Sequence, residues 1–184
     1  SKSMVSEESA LDLAIEGAGL EVVETDLGEY ILQINGYEPP SHIVGPALHK
    51  SKEEVTELFH RRHGTPRKDG IEDLCREARA VLREHYLTAD MGISGGNFFV
   101  AETGSVLLVT NEGNASLATT LPKVHVAISG IEKIVPTLED AATLMRLLPR
   151  SATGQSISNY VDVLTGTRGE GEFHGVDHMY FILV

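Results

Sequence analysis

Between Asn97 and Asn114 the chain reads NFFVAETGSVLLVTNEGN, and two four-residue runs within it, FFVA and VLLV, carry no polar residue. A strand wetted on one face alternates apolar with polar residues, so a strand without alternation has to be covered on both faces. VHVAI, from Val124 to Ile128, and MYFILV, from Met179 to Val184, have the same strand-like character. FFVA and VLLV lie close enough to pair as a hairpin through Thr103-Gly104, and MYFILV reads as a buried closing strand.

Helical signals separate and precede these runs. Ser51-x-x-Glu54 is a capping box, followed by an apolar stripe of Val55, Leu58 and Phe59, by Arg61, Arg62 and His63, and by Gly64 as a stop. Ile71, Leu74, Cys75, Ala78, Leu82 and His85 recur at helical spacing, which makes Cys75 an inert core thiol. Thr137-x-x-Asp140 opens a helix carrying Leu138, Ala141, Ala142, Met145 and Leu148 that Pro149 should end, leaving Ser151–Gly154 as a polar loop. Ser6, followed by Glu7 and Glu8, reads as the start of a helix reaching Gly17 or Gly19. EVVETD and YILQI read as short strands, and HIVG, after Pro39-Pro40, as another. The fold class is therefore α/β: a mostly parallel sheet with flanking helices and one β-hairpin.

A chain of 184 residues has a core of useful size for one domain and little room for two. The formal net charge of −12 argues against nucleic acid or an anionic membrane surface as partner. MYFILV is far too short to span a bilayer, no secretory signal is visible, and one Cys excludes an internal disulfide framework, so a cytoplasmic setting is expected. The opening SKSMVSEE, without an initiator Met, and a close inside a strand read as a piece of something longer.

The chain contains no Walker loop, HExxH, GxSxG or CxxC. His60 and His63, three apart on a helix among charges, read as a solvated face rather than a metal site, and no metal is expected. His125 shares one strand face with Ala127 while Val124 and Val126 share the other, as either a satisfied core histidine or a pocket residue. Three polar clusters are candidates for a binding site: Glu102-Thr103-Gly104-Ser105, Asn111-Glu112-Gly113-Asn114, and Ser151, Thr153 and Gln155. Glu102 ends a strand too apolar to hold a charge inside, which makes it the candidate for catalysis or for ligand positioning at a pocket rim. Thr119, Thr120 and His125 flank or enter the next strand and are expected in the same cavity.

Four strings, KSMVSEE, AETGSVLLVTNEGN, TTLPKVHVAISGIEKIVPTLED and LLPRSATGQSIS, together resemble the LUD domain of lactate-utilisation proteins, most closely the B branch, the iron–sulfur oxidoreductase subunits. The resemblance implies a NagB/RpiA/CoA-transferase-like fold, with residues 1–184 as a single LUD domain lacking the N-terminal segment and the C-terminal iron–sulfur domain of the full protein. It implies work in oxidising L-lactate to pyruvate with electron transfer, alongside other lactate-utilisation subunits and with a small organic acid or other anion as ligand. It also places Lys2 and Ser3 among the family's motifs, as residues covering the pocket. Clusters need several Cys thiolates and this chain has only Cys75, so no cofactor is expected here and [4Fe–4S] clusters are expected in the full-length protein. CoA transferases of the implied fold use a Glu nucleophile, and a stand-alone enzyme built on Glu102 is the alternative.

Overall fold

The structure, a computed structural model, describes residues 1–3, 5–6, 9–42, 45–110, 112–158 and 160–184. Its helices are α1 (Leu11–Gly17), α2 (Leu27–Ile34), α3 (Lys52–His63), α4 (Ile71–Thr88), α5 (Asn114–Thr120) and α6 (Leu138–Thr153). Its strands are β1 (Met91–Ser94), β2 (Phe98–Val100), β3 (Ser105–Thr110), β4 (Val124–Ser129), β5 (Ile134–Val135), β6 (Tyr160–Leu164) and β7 (His178–Leu183). They fall into two compact units, Val22–Thr88 and Ser1–Glu21 with Ala89–Val184.

The Val22–Thr88 unit is helical. EVVETD forms no strand, and YILQI lies within α2, where Asp26 caps the first turn by accepting the Gly28 N–H at 3.0 Å. The misreading has a physical source: Tyr30, Ile31 and Ile34 fit one helical face, and a five-residue apolar run cannot by itself tell strand from helix. Ile43 and Val44 of the expected HIVG strand, and Glu7 and Glu8 of the expected first turn, lie outside the described residues. The capping box of Ser51 and Glu54 is present, and Gly64 ends α3 in the left-handed region at φ 69°.

Tyr30, Ile31, Leu58, Phe59, Leu74, Ala78 and Leu82 form this unit's core. Cys75 and Ile71 are exposed, contrary to the stripe expected of them, because α4 turns Leu74, Glu77 and Ala78 inward instead. The His60–His63 face is not solvated either. The His63 side chain is 7% exposed, with Nδ1 2.7 Å from Glu77 Oε1, and its Nε2 lies 2.9 Å from the Tyr30 hydroxyl. Thr65 donates to the same Glu77 oxygen at 2.5 Å, and Lys68 Nζ lies 2.8 Å from the other. A carboxylate on the inward face of a helix requires such partners, which explains why His63 is drawn into the core.

The other unit is the α/β part. β1, β4 and β7 form a parallel sheet in the order β1-β4-β7. A second sheet has the order β5-β2-β3-β6, with β2–β5 parallel, and β2–β3 and β3–β6 antiparallel. The expected hairpin is β2–β3, and the sheets are mostly parallel. Two sheets replace the one expected, because the chain turns from one to the other through Gly95-Gly96, where a Cβ on Gly96 would stand 2.6 Å from the Phe99 ring.

Side-chain alternation explains the unbroken apolar runs. Phe99, Val106 and Leu108 meet Ala127 between the sheets, while Val100, Leu107 and Val135 pack with Ala141 and Met145 of α6 on the far side. Val126, Ile128 and Ile93 pack with Leu11 and Ile15 of α1 on the outer face of the parallel sheet. Helix, sheet, sheet and helix are thus stacked, and β2, β3 and β4 have apolar neighbours on both faces.

Two expectations fail at the margins of this stack. Tyr180, Phe181, Ile182 and Leu183 are each about half exposed, since β7 ends the strand order and pairs only with β4 among the described residues. Pro149 lies inside α6, and the helix continues through Ser151 and Thr153 to Gly154 at φ 73°. Proline removes only the one N–H that would have bonded four residues back, and the Thr153 hydroxyl donates to the Pro149 carbonyl at 3.1 Å.

Candidate functional site

Glu102 lies in the exposed turn between β2 and β3, where its Oε1 accepts the N–H of Leu138 at 2.7 Å. Leu138 opens α6, so the carboxylate sits at the positive end of that helix and holds the hairpin turn to it. Gly104, at φ 66°, completes the turn. The Thr103 and Ser105 hydroxyls lie 2.7 Å apart, and that of Ser105 also meets Thr165 Oγ1 at 2.9 Å. Gly104 and Ser105 border a cavity of about 200 Å³ whose other walls include Phe99, Ile134, Phe181 and Leu183. That cavity is apolar, carries no lysine or arginine in its lining, and does not include Glu102.

The second and third clusters lie elsewhere. β3 carries the chain away from the Glu102 turn for six residues, roughly 17–20 Å at a strand's rise, before Glu112, Gly113 and Asn114. Asn111 lies outside the described residues. α6 runs 16 residues from Leu138, roughly 24 Å, with Ser151 and Thr153 in its last turn and Gln155 just beyond. Because Thr110 pairs with Tyr160, the segments after β3 and before β6 return to the same end of their sheet. The two loops are therefore brought to one end and Glu102 to the other, so they do not form the single expected cavity. Thr119 and Thr120 spend their hydroxyls on α5 itself, donating to the carbonyls of Ala115 at 3.0 Å and Ser116 at 2.6 Å.

Three of the predicted residues do converge, around the carboxyl end of β1: Lys2 and Ser3 lie beside it, and His125, near the amino end of β4, reaches it with its side chain. Lys2 pairs with the far edge of β1: its N–H donates to the Ile93 carbonyl at 2.9 Å, and its own carbonyl accepts from Gly95 at 3.0 Å. Ser3 is buried, its Oγ accepting the Ser6 N–H at 3.3 Å. His125, 1% exposed, places Nε2 2.8 Å from the hydroxyl of Ser94, which is itself fully buried. Ser129, at the end of β4, donates to the Gly96 carbonyl at 2.9 Å. In open parallel sheets ligands bind outside the carboxyl ends of the strands, which makes this serine–glycine cluster the candidate site.

Hydrogen counting fixes what the pair can do. The Ser94 hydroxyl lies 2.8 Å from both the Gly95 carbonyl and His125 Nε2; the carbonyl can only accept, and the one arrangement that satisfies both contacts gives it the hydroxyl proton and makes Nε2 the donor to Ser94. Burial pushes the His125 ring down to about 4, leaving it neutral at pH 7. A neutral ring donating to Ser94 is no base for that hydroxyl. The pair holds the Ser94-Gly95-Gly96 turn in place and acts as a positioning device.

The LUD domain family model matches residues 2–184. This chain belongs to the LUD domain family. Over all 184 residues it is 53% identical to "Lactate utilization protein B" of Anoxybacillus flavithermus and of Geobacillus kaustophilus, and 51% identical to that of Bacillus licheniformis. The match covers 100% of this chain and 39% of each relative, so the chain spans about two fifths of the length of these curated relatives. A crystal structure of a DUF162 family protein from Deinococcus radiodurans is similar at a TM-score of 0.42, with 20% identity, over 55% of this chain and 57% of that one.

In this LUD domain the residues do not fit an iron–sulfur cluster. Cys75 is the one cysteine of the chain and sits exposed on α4, whereas a cluster takes several thiolates. Among the described residues no three His, Cys, Asp or Glu side chains converge as metal donors. Sequence reasoning missed Ser94, Gly95, Gly96 and Ser129, although a signal was present: Ile93-Ser94-Gly95 and Ile128-Ser129-Gly130 repeat the same triplet at the ends of two parallel strands.

Proposed function

We propose that this LUD domain is part of a longer cytoplasmic lactate-utilisation iron–sulfur subunit and contributes to the oxidation of L-lactate to pyruvate with electron transfer. Identity of 51–53% along the whole chain to relatives named lactate utilization protein B carries the reading. In it, [4Fe–4S] clusters belong to polypeptide outside these 184 residues, because Cys75 alone supplies no ligand set. The domain acts by positioning a small organic acid or the other lactate-utilisation subunits. The rigid, neutral cluster of Ser94, His125 and Ser129 supports positioning over acid–base chemistry. The stand-alone transferase has less support, since the Glu102 carboxylate already serves the first turn of α6.

Purified full-length protein, combined with the other subunits and an artificial electron acceptor, should form pyruvate from L-lactate. It should contain iron in multiples of about four per chain, whereas the 184-residue chain, reconstituted the same way, should hold almost none. Absence of pyruvate formation by the iron-loaded assembly would overturn the reading.

A further inference from the structure

The connection between β6 and β7, TGTRGEGEFHGVD from Thr165 to Asp177, is held at both ends. Thr165 Oγ1 lies 2.9 Å from Ser105 Oγ, and the Asp177 N–H donates to the Lys123 carbonyl at 2.7 Å. A neck closes the loop above these anchors: the Arg168 N–H donates to the Val176 carbonyl at 2.9 Å, and its guanidinium pairs with Asp177 at 2.6 Å. Val176 is buried beneath the neck, and Gly175, at φ 104°, packs against Arg168. Nearer the tip, Glu172 donates its N–H to the Gly169 carbonyl at 3.1 Å and accepts the Gly169 N–H on its carboxylate at 2.5 Å. What this frame presents is Phe173, 92% exposed, with Glu170, Glu172 and His174 around it.

An aromatic ring held wholly in water by a clamped loop has the form of an interface anchor, because the ordering cost of docking is already met. We propose that this loop is a docking finger, and that its partner is another protein subunit presenting an apolar pocket with a lysine- or arginine-rich rim. The choice of partner follows from charge. Arg168 is already paired with Asp177, which leaves Glu170 and Glu172 to set the sign around the ring. An anionic membrane would repel both the loop and a chain of net charge −12. A second copy carries the same net charge; its apolar cavity beside Phe181 has no cationic rim, and its pocket of Ile31, Val55 and Leu58 sets Glu54 and Glu57 beside Lys50 and Arg61, so neither offers the basic rim that the loop calls for. The inference rests on the reading that the protein works with other lactate-utilisation subunits, and it assigns the surface they use.

The test measures association of the full-length protein with each of the other subunits by titration calorimetry at two salt concentrations. Phe173→Ser should weaken binding at least tenfold, the loss typical of an anchor, while Phe173→Trp retains it. Glu170→Lys should weaken binding and flatten its salt dependence. If the wild type assembles and Phe173→Ser and Glu170→Lys bind within twofold of it, the finger is wrong and the functional reading stands. If the wild type binds none of the subunits, both fall. Binding to anionic vesicles that Phe173→Ser abolishes would overturn the choice of a protein partner.

Discussion

Acid should loosen the two-sheet unit through His125 before its carboxylates protonate. The ring is 1% exposed and packed between sheets, and burial lowers it from 6.5 to about 4. The unfolded chain therefore takes up a proton between those values that the folded chain refuses, and stability falls as pH falls through that window. Complete titration corresponds to roughly 3 kcal/mol, at 1.36 kcal/mol per pH unit, and about 2 kcal/mol should be gone by pH 5. At pH 5 a carboxylate of unfolded value 4.5 has cost only a few tenths of a kcal/mol, so about two pH units belong largely to the histidine. Hydrogen exchange of the β4 amides reports this unit locally, and about 2 kcal/mol is roughly a thirtyfold loss of protection between pH 7.5 and 5, after correction for intrinsic rates. The control is His125→Gln, whose amide can donate to Ser94 and does not titrate. Identical pH profiles for the variant and the wild type, or an NMR titration of His125 near 6.5, would refute the argument.

Glu77→Gln should destabilise the helical unit by roughly 3–5 kcal/mol, since it removes the charge against which Lys68 and His63 are held. Exchange of the α4 amides would show it. Burial raises the Glu77 carboxyl, but hydrogen bonds from Lys68, Thr65 and His63 outweigh it and hold the group down to about 2. Its contribution is present above 4.5 and lost as pH falls through about 2, so the acid limb below pH 4.5 should shrink in the Gln variant. Gly92→Ala drives a Cβ into the Ala118 carbonyl, in the backbone of α5. Neither strand nor helix can yield there cheaply, and a loss of roughly 3 kcal/mol or more is expected in urea melts.

What was legible in the sequence was what local chemistry decides. The capping boxes at Ser51 and Thr137 need only residues three apart, and both form. FFVA, VLLV and VHVAI supply β2, β3 and β4, where both faces of each strand meet apolar neighbours. The failures over MYFILV and Cys75 are decided by distant neighbours. Whether MYFILV is buried depends on where β7 falls in the strand order, which its own residues do not state. Which face of α4 points inward is settled by His63, Thr65 and Lys68 receiving Glu77, so Cys75 is turned outward by contacts made elsewhere in the chain. The candidate site divided the same way: His125 was visible as a polar residue on an apolar strand, but Ser94 became its partner only through the parallel register of β1 with β4.

Glu102 shows how a structural anion imitates a catalytic one. A nucleophilic carboxylate and a helix-anchoring one share a sequence signature: an acid at the end of an apolar strand, beside a glycine turn. Both need positive potential nearby, from an oxyanion site in one case and from the free N–H groups of a helix start in the other. The difference lies in what the N–H groups face. Here the Leu138 N–H reaches the carboxylate itself at 2.7 Å, so the donor stabilises the ground-state anion and leaves it a poorer nucleophile. Glu102→Ala should therefore cost about 1 kcal/mol of stability, in the range of a lost N-terminal cap. Glu102→Gln, which keeps the acceptor and loses the charge, should cost about half as much. A catalytic nucleophile would show the opposite order of consequences: unchanged melting temperature in Glu102→Gln with activity abolished. Thermal melts of the two variants, read beside pyruvate formation by the full-length assembly, separate the cases, and an inactive Gln variant with wild-type stability would sink the anchor reading.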